Sequence, residues 1–298
     1  MVAALIVLTW LAACVPGGSV ETEAPAPVAF DGERARAIVA DQVALGPRVP
    51  GTDAHARAGE YILARLQAAG WQADEQPFED QGRRLRNLIG RGSAEGGPLV
   101  ILGAHYDSRP VADRDEAGSG SPVPGANDGA SGVAVLLELA QVLPVEALDY
   151  RLWLVFFDAE DGGGLAGGEW ILGSRYFAAA VQESPAAVIV VDMVGDADLQ
   201  LYYEARSDQA LAAQVWETAA RLGHTGFIPQ PGYSILDDHV PFLELGIPAI
   251  DIIDFDYPYW HTTEDTLDKV SAESLEQVGR TLQIWLTELD PADWPGPE

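Results

Sequence analysis

The chain is expected to adopt an α/β fold in which a mixed, largely parallel central sheet is flanked by helices. Three observations predict it. Apolar runs at residues 99–104, 152–157, 187–191 and 249–253 show no in-out alternation, the mark of strands buried on both faces. Stretches of helical period separate most of these runs, and alternating strand and helix imply parallel pairing through crossover helices. Finally, 298 residues, 48% of them hydrophobic, can form one large core, and no composition shift divides the chain.

The elements follow in order. Residues 31–44 and 53–69 carry helical apolar spacing, with Asp53 placed as an N-cap and Gly70 as a C-terminal glycine. Strand-like runs at 71–78 and 85–90 read as antiparallel neighbours and lead into the dense apolar run at 99–104. Residues 129–143 return to helical period. Beyond them come a strand at 152–157, a helix at 171–181, a strand at 187–191, helices at 208–222 and 238–245, a strand at 249–253 and a helix at 271–289. Residues 31–290 therefore read as a single domain without internal repeats.

The acidic balance excludes some partners. Forty-six acidic residues against 17 basic ones give a net charge of -29, which repels nucleic acid and anionic membrane surfaces. Lys269 is the only lysine, so the surface is expected to be rich in Asp and Glu. Salt adaptation and genome composition both fit such a surface.

Residues 2–13 are almost wholly apolar but too few for the roughly 20 that a spanning helix needs. Residues 1–13 therefore read as a signal peptide. The run ends Leu11-Ala12-Ala13-Cys14, which looks like a bacterial lipobox, and Cys14 is the only cysteine. It has no internal disulfide partner, and a lipidated Cys14 would be the first residue of the mature protein. An ordinary cleaved signal with an incidental cysteine is the competing reading, and no Lys or Arg precedes the apolar run. Residues 14–30, rich in Pro, Gly and Glu, then form a flexible tether. The expectation is a monomer exported across the bacterial inner membrane and held at the cell envelope only through Cys14.

In open α/β sheets ligands bind beyond the carboxyl ends of the strands. The strand at 99–104 runs into His105-Tyr106-Asp107-Ser108, that at 152–157 into Asp158-Ala159-Glu160-Asp161, that at 187–191 into Asp192, and that at 249–253 into Asp254 with His261 shortly after. One strand-end Asp is more often a turn former or a helix cap. Four strand ends delivering carboxylate or imidazole to one edge point to a metal site. The long loop 108–126 closes in Gly125-Ala126-Asn127-Asp128-Gly129-Ala130-Ser131-Gly132, and long structureless loops in compact domains are usually functional. Asp128 is also compatible with an N-cap. Carboxylates and imidazole without thiolate suit a catalytic zinc with an open position. The adjacent Glu160 and Asp161 suit a division between proton transfer and metal binding.

These motifs, with Leu172-Gly173-Ser174-Arg175-Tyr176, Asp192-Met193-Val194-Gly195-Asp196, Asp237-Asp238-His239-Val240-Pro241-Phe242 and Trp260-His261-Thr262-Thr263, occur in this order. The set resembles the zinc aminopeptidase superfamily, over roughly residues 43–286, and within it the glutaminyl-peptide cyclotransferases, or glutaminyl cyclases. The resemblance implies a zinc exopeptidase-like fold and one zinc ion per chain. Asp128, Asp161 and His261 would hold that zinc, Glu160 would transfer protons, Asp192 and Asp237 would form a carboxylate network, and Trp260 would wall the pocket. The substrate implied is a peptide with a free N-terminal glutamine.

Three departures stand out. Asp161 occupies a position where many superfamily members have Glu, and Asp251 one where animal cyclases have a histidine. The second pocket tryptophan of animal cyclases has no counterpart in residues 162–169. The same residues also fit a two-zinc aminopeptidase in which His105 and Asp192 hold the second ion, Asp128 bridges and Glu160 activates water. A catalytically dead binding domain is disfavoured, because Glu160 and the ligand set are intact.

Overall fold

The computed structural model describes residues 28–115 and 120–290. The expected signal peptide, Cys14 and nearly all of the tether lie outside the described residues.

Two helices lead in. α1 (Gly32–Ala44) starts where the Asp31 side chain accepts a hydrogen bond from Arg34 N. α2 (Asp53–Ala68) is capped by Thr52, whose hydroxyl accepts from His55 N. Asp53 is therefore not the cap but the first helical residue, where its charge favours the positive end of the helix dipole. Gly70, as expected, follows the helix with φ +84°.

β1 (Gln72–Asp80) and β2 (Arg83–Arg91) form an antiparallel hairpin in register from Gln72 opposite Arg91 to Asp80 opposite Arg83. Its two-residue turn, Gln81-Gly82, has φ of 47° and 78°, the left-handed pair whose twist matches the strands. The remaining strands of the main sheet are β3 (Leu99–His105), β4 (Arg151–Phe157), β5 (Ala187–Asp192) and β8 (Ala249–Ile253). The order is β1-β2-β4-β3-β5-β8. Pairing is antiparallel for β1 with β2 and β2 with β4, and parallel from β4 through β3 and β5 to β8.

The four parallel strands are buried on both faces. Val100, Leu102, Leu154, Ile189 and Ile250 point into one apolar cluster, while Ile101, Val155, Val188 and Val190 point into the other. The first face carries α1, α2, α3 (Ala130–Val142), α5 (Gln209–Leu222) and α7 (Ala272–Glu288). The second carries α4 (Leu172–Ala180) and α6 (Val240–Glu244), the latter shorter than the 238–245 expected.

Two strands were not foreseen. β6 (Leu201–Tyr203) and β7 (Phe227–Pro231) form a separate parallel pair. With α3 on one side and the ends of β3, β4, β5 and β8 aligned, the carboxyl edge of the parallel strands is a single shelf for polar groups.

Candidate metal centre and active site

His105 and Asp192 are the last residues of β3 and β5. Glu160 and Asp161 follow β4, Asp128 precedes α3, Asp237 precedes α6, and His261 follows β8. All seven are buried. Two triads share Asp128: one with Asp161 and His261, the other with His105 and Asp192. In the first, His261 Nε2 lies 3.2 Å from Asp161 Oδ1 and 3.9 Å from Asp128 Oδ2. In the second, His105 Nε2 lies 3.1 Å from Asp128 Oδ1 and 3.1 Å from Asp192 Oδ1. The structure thus brings together every residue expected at the metal, including those of the two-metal alternative.

The donor set fits a divalent cation. Asp128 Oδ2 and Asp161 Oδ2 are buried without a hydrogen-bond partner, a costly state for carboxylate oxygens unless a cation meets them. Carboxylate and imidazole ligands are those of catalytic zinc sites.

An underlying tier of buried polar groups fixes the ligands. Asp107 accepts from Glu160 N at 3.0 Å and Asp161 N at 3.2 Å, and faces His105 Nδ1 at 3.4 Å. Asp265 accepts from Asn127 N at 2.8 Å and Asp128 N at 3.2 Å, and from the Tyr257 hydroxyl at 2.7 Å. Arg48, wholly buried, donates to the carbonyls of Pro124 and Gly125 at the approach to Asp128. Such partners orient ligands and fix tautomers. The peptide between Asp128 and Gly129 is cis.

Four of the site's turns pass through left-handed backbone at residues other than glycine. Ala159 (φ 55°) precedes Glu160, Ile171 (56°) follows Trp170, Met193 (46°) follows Asp192, and His261 itself has φ 61°. Residues held in this region cluster at functional sites because only a surrounding fold that over-determines them can keep them there.

A cavity of about 230 Å³ opens over this floor. Trp170, Trp260, Phe255, Ile235, Leu236 and Ile253 supply apolar lining, and Asp128, Glu160, Asp192, Asp237 and His261 the polar lining. Trp260 is where the sequence places it. Trp170 is the residue that sequence reasoning missed: it lies one position beyond the loop 162–169, in a β-bridge with Asp161, and stacks on His261 at 6.0 Å and 15°. Residues 162–169 hold no tryptophan, as read, but Trp170 directly after them supplies a second pocket indole. A nearby signal was Gly163, whose missing side chain makes room for the indole.

The carboxylates hold protons unequally. Burial, with the charges of Asp161, Asp237 and Asp238, pushes Glu160 well above the usual carboxylate range. Burial and the Asp128 charge raise Asp161 to about 6 against the pull of His261 and Arg109. Burial, opposed by His105 and reinforced by Asp237 and Asp128, raises Asp192 to about 7. Asp128 runs the other way: burial would raise it, but His105, His261 and Arg109 hold it low. Asp238 and Asp251 are raised well above the usual range by burial and then by Asp237. Asp128, shared by the two triads, is thus held toward its charged form, whereas Glu160 is shifted upward, in the direction a group that exchanges protons near neutral pH requires.

Some strand-end residues serve structure instead. Asp158 pairs with His55 Nε2 at 2.7 Å and accepts from Arg86 N at 2.8 Å. Asp254 accepts from Gln200 N at 2.9 Å and Asp256 N at 3.2 Å.

Comparison with known proteins agrees with this geometry. The model of peptidase family M28 matches residues 87–285. The crystal structure of Porphyromonas gingivalis glutaminyl cyclase is 36% identical, superposes with a TM-score of 0.82, and is matched over 87% of this chain and 98% of that one. The structure of a leucine aminopeptidase precursor from Bacteroides thetaiotaomicron is 34% identical with a TM-score of 0.83, over 88% of this chain and 99% of that one. Glutaminyl-peptide cyclotransferase of Drosophila melanogaster is 25% identical over 285 residues, 82% of this chain and 77% of that protein.

Proposed function

Because the chain belongs to peptidase family M28, we propose that it is a zinc-dependent glutaminyl-peptide cyclotransferase, converting N-terminal glutamine of peptides to pyroglutamate with release of ammonia. The observation that carries this reading is Asp237. It lines the pocket yet belongs to neither metal triad, and Asp238 N hydrogen-bonds to its carboxylate. A carboxylate there can accept hydrogen bonds from the substrate's amide nitrogen as it becomes ammonia. The likeness to bacterial glutaminyl cyclases at 36% and 34% identity supports the same reading.

Asp128, Asp161 and His261 would hold one zinc. Zinc there supplies a Lewis acid that polarises the side-chain amide carbonyl. The remaining chemistry falls to the chain's own residues. The substrate's α-amine nitrogen bonds to the side-chain amide carbon, the carbon–nitrogen bond of that amide breaks, and ammonia leaves. Glu160 takes the proton from the attacking amine and passes it to the departing nitrogen. Asp237 and Asp192 orient that nitrogen. Trp260 and Trp170 pack the glutamine methylenes and exclude water, and no water is consumed.

The triad of His105, Asp128 and Asp192 favours one other reading, a two-zinc aminopeptidase that hydrolyses N-terminal residues. The deciding assay measures pyroglutamate formed from a glutaminyl peptide against leucine released from a leucyl peptide, on zinc-replete protein. Lactam without leucine release is expected; the reverse would overturn the proposal. The tether and Cys14 would anchor the enzyme at the cell envelope.

A further inference from the structure

Arg109 lies at the start of the long loop, two residues beyond Asp107, and its side chain is only 2% exposed. Its Nε and Nη2 donate to the two oxygens of Asp113, each at 2.7 Å. Its Nη1 donates to Asp161 Oδ1 at 2.9 Å and reaches the carbonyls of Asp161 and Gly163 at 3.3 and 3.2 Å. Asp113 Oδ1 in turn lies 3.4 Å from His261 Nδ1. The guanidinium also sits 5.0 Å from the centre of the Trp170 ring, whose other neighbour is the His261 imidazole.

We propose that Arg109 and Asp113 act together as one brace that positions two of the three zinc ligands, Asp161 and His261, together with the pocket wall Trp170. The inference rests on the assignment of Asp161 and His261 as zinc ligands. Arg109 holds Asp161 Oδ1, the oxygen that also lies 3.2 Å from His261 Nε2, while Oδ2 has no hydrogen-bond partner, so the brace fixes how the carboxylate is turned toward the metal. Asp113 meets Nδ1 of His261 and leaves Nε2 turned toward Asp128 and Asp161. A carboxylate behind a ligating imidazole fixes its tautomer and raises its basicity. The brace also accounts for the short Asp161: an aspartate has less freedom to find the metal than a glutamate, and a planar fork fixes it from behind. Lysine replaces that fork only in part, because a single ammonium cannot serve Asp113 and Asp161 with the same geometry.

Neither residue touches substrate, so the test reads metal binding directly. Zinc affinity is measured by chelator competition on Arg109→Ala, Arg109→Lys, Asp113→Ala and the double alanine variant, alongside the visible spectrum of the cobalt-substituted proteins. Arg109→Ala is expected to weaken zinc binding about 10- to 100-fold, the usual cost of losing an outer partner, and to shift the cobalt bands. Arg109→Lys should recover part of the loss. The double variant should bind no more weakly than the worse single one, because the two residues form one unit. Zinc affinity within twofold of wild type in Arg109→Ala, or losses that multiply in the double variant, would overturn the brace. If Arg109→Ala does not fold, Arg109→Lys decides: a loss of more than twofold supports the brace and affinity within twofold of wild type refutes it. Zinc bound at wild-type strength without pyroglutamate formation defeats the cyclase reading and leaves the brace standing.

Discussion

Gly163→Ala tests whether Trp170 forms the pocket wall. A Cβ at residue 163 would fall well under 3.0 Å from three atoms of the indole, against the 3.4 Å or more of ordinary contact. One of the two must move. Residue 163 is held by its carbonyl to buried Arg109, whereas Trp170 is only half-buried, so the ring yields. Leaving its place gives up the cation–π contact with Arg109, worth about 0.5–2 kcal/mol, and the stack on His261, worth about 0.5–1.5 kcal/mol. Part of that wall is what the substrate's methylenes pack against. A loss of about 1–3 kcal/mol in substrate packing is roughly 5- to 150-fold in affinity at 1.4 kcal/mol per decade. Steady-state kinetics on a glutaminyl peptide should therefore show KM raised about 5- to 150-fold with kcat within a few-fold, and zinc content unchanged. Combining the substitution with Trp170→Ala should be no worse than Trp170→Ala alone, since no ring remains to clash. Unchanged KM together with an unchanged melting temperature in Gly163→Ala would show that Trp170 neither overlies residue 163 nor walls the pocket.

Glu160→Gln should keep its zinc while turnover falls about 10²- to 10⁴-fold; Asp161→Asn should lose zinc, because a neutral amide is a poorer ligand. Metal analysis of the two variants separates the roles, and the opposite pattern reverses them. His105→Ala should leave one zinc per chain; wild type with two ions and His105→Ala with one would establish the two-metal alternative. The metal-free protein should melt higher as pH is lowered from 8 to 5. Asp161 at about 6 and Asp192 at about 7 exceed their ordinary value of 3.8, so the folded state binds the protons more tightly and stability is gained as pH falls through that window. Thermal melts in chelator check this, and a falling melting temperature contradicts it. Cys14→Ser should move the enzyme from the membrane to the soluble fraction, and wild type found soluble without an N-terminal lipid would refute the anchor.

The parallel strands are legible in the sequence because burial on both faces leaves no room for polar residues, as at 99–104 and 187–191. The ligands are legible because a strand end can carry a carboxylate or an imidazole with little competing structural need. What escapes is of two kinds. β6 and β7 are short, and β7 exposes Pro229, Gln230 and Pro231, so neither carries an apolar period. Trp170 and the Arg109–Asp113 pair depend on contacts across the fold: nothing adjacent in sequence tells Trp170 that Arg109 and His261 will lie against its ring. Asp158 and Asp254 show the converse, since strand-end acids look alike until their partners are known. His55 satisfies the first and backbone amides the second.

The left-handed residues beside Glu160, Trp170 and Asp192, and at His261, have a consequence for evolution and engineering. Each such conformation costs of order 1 kcal/mol or more, and for Ile171 branching at Cβ adds to it. Natural selection ordinarily removes local costs of this size when a substitution can do so. A glycine at 159, where only a methyl is lost, would relieve the backbone, and laboratory selection for heat resistance alone should favour it; at 193 the buried Met193 side chain contributes more than the strain costs. The Ala159→Gly variant would hold the acid and its neighbours less firmly, so the gain in durability would come with slower turnover. The left-handed positions around this pocket are therefore where a search for a tougher enzyme should not begin.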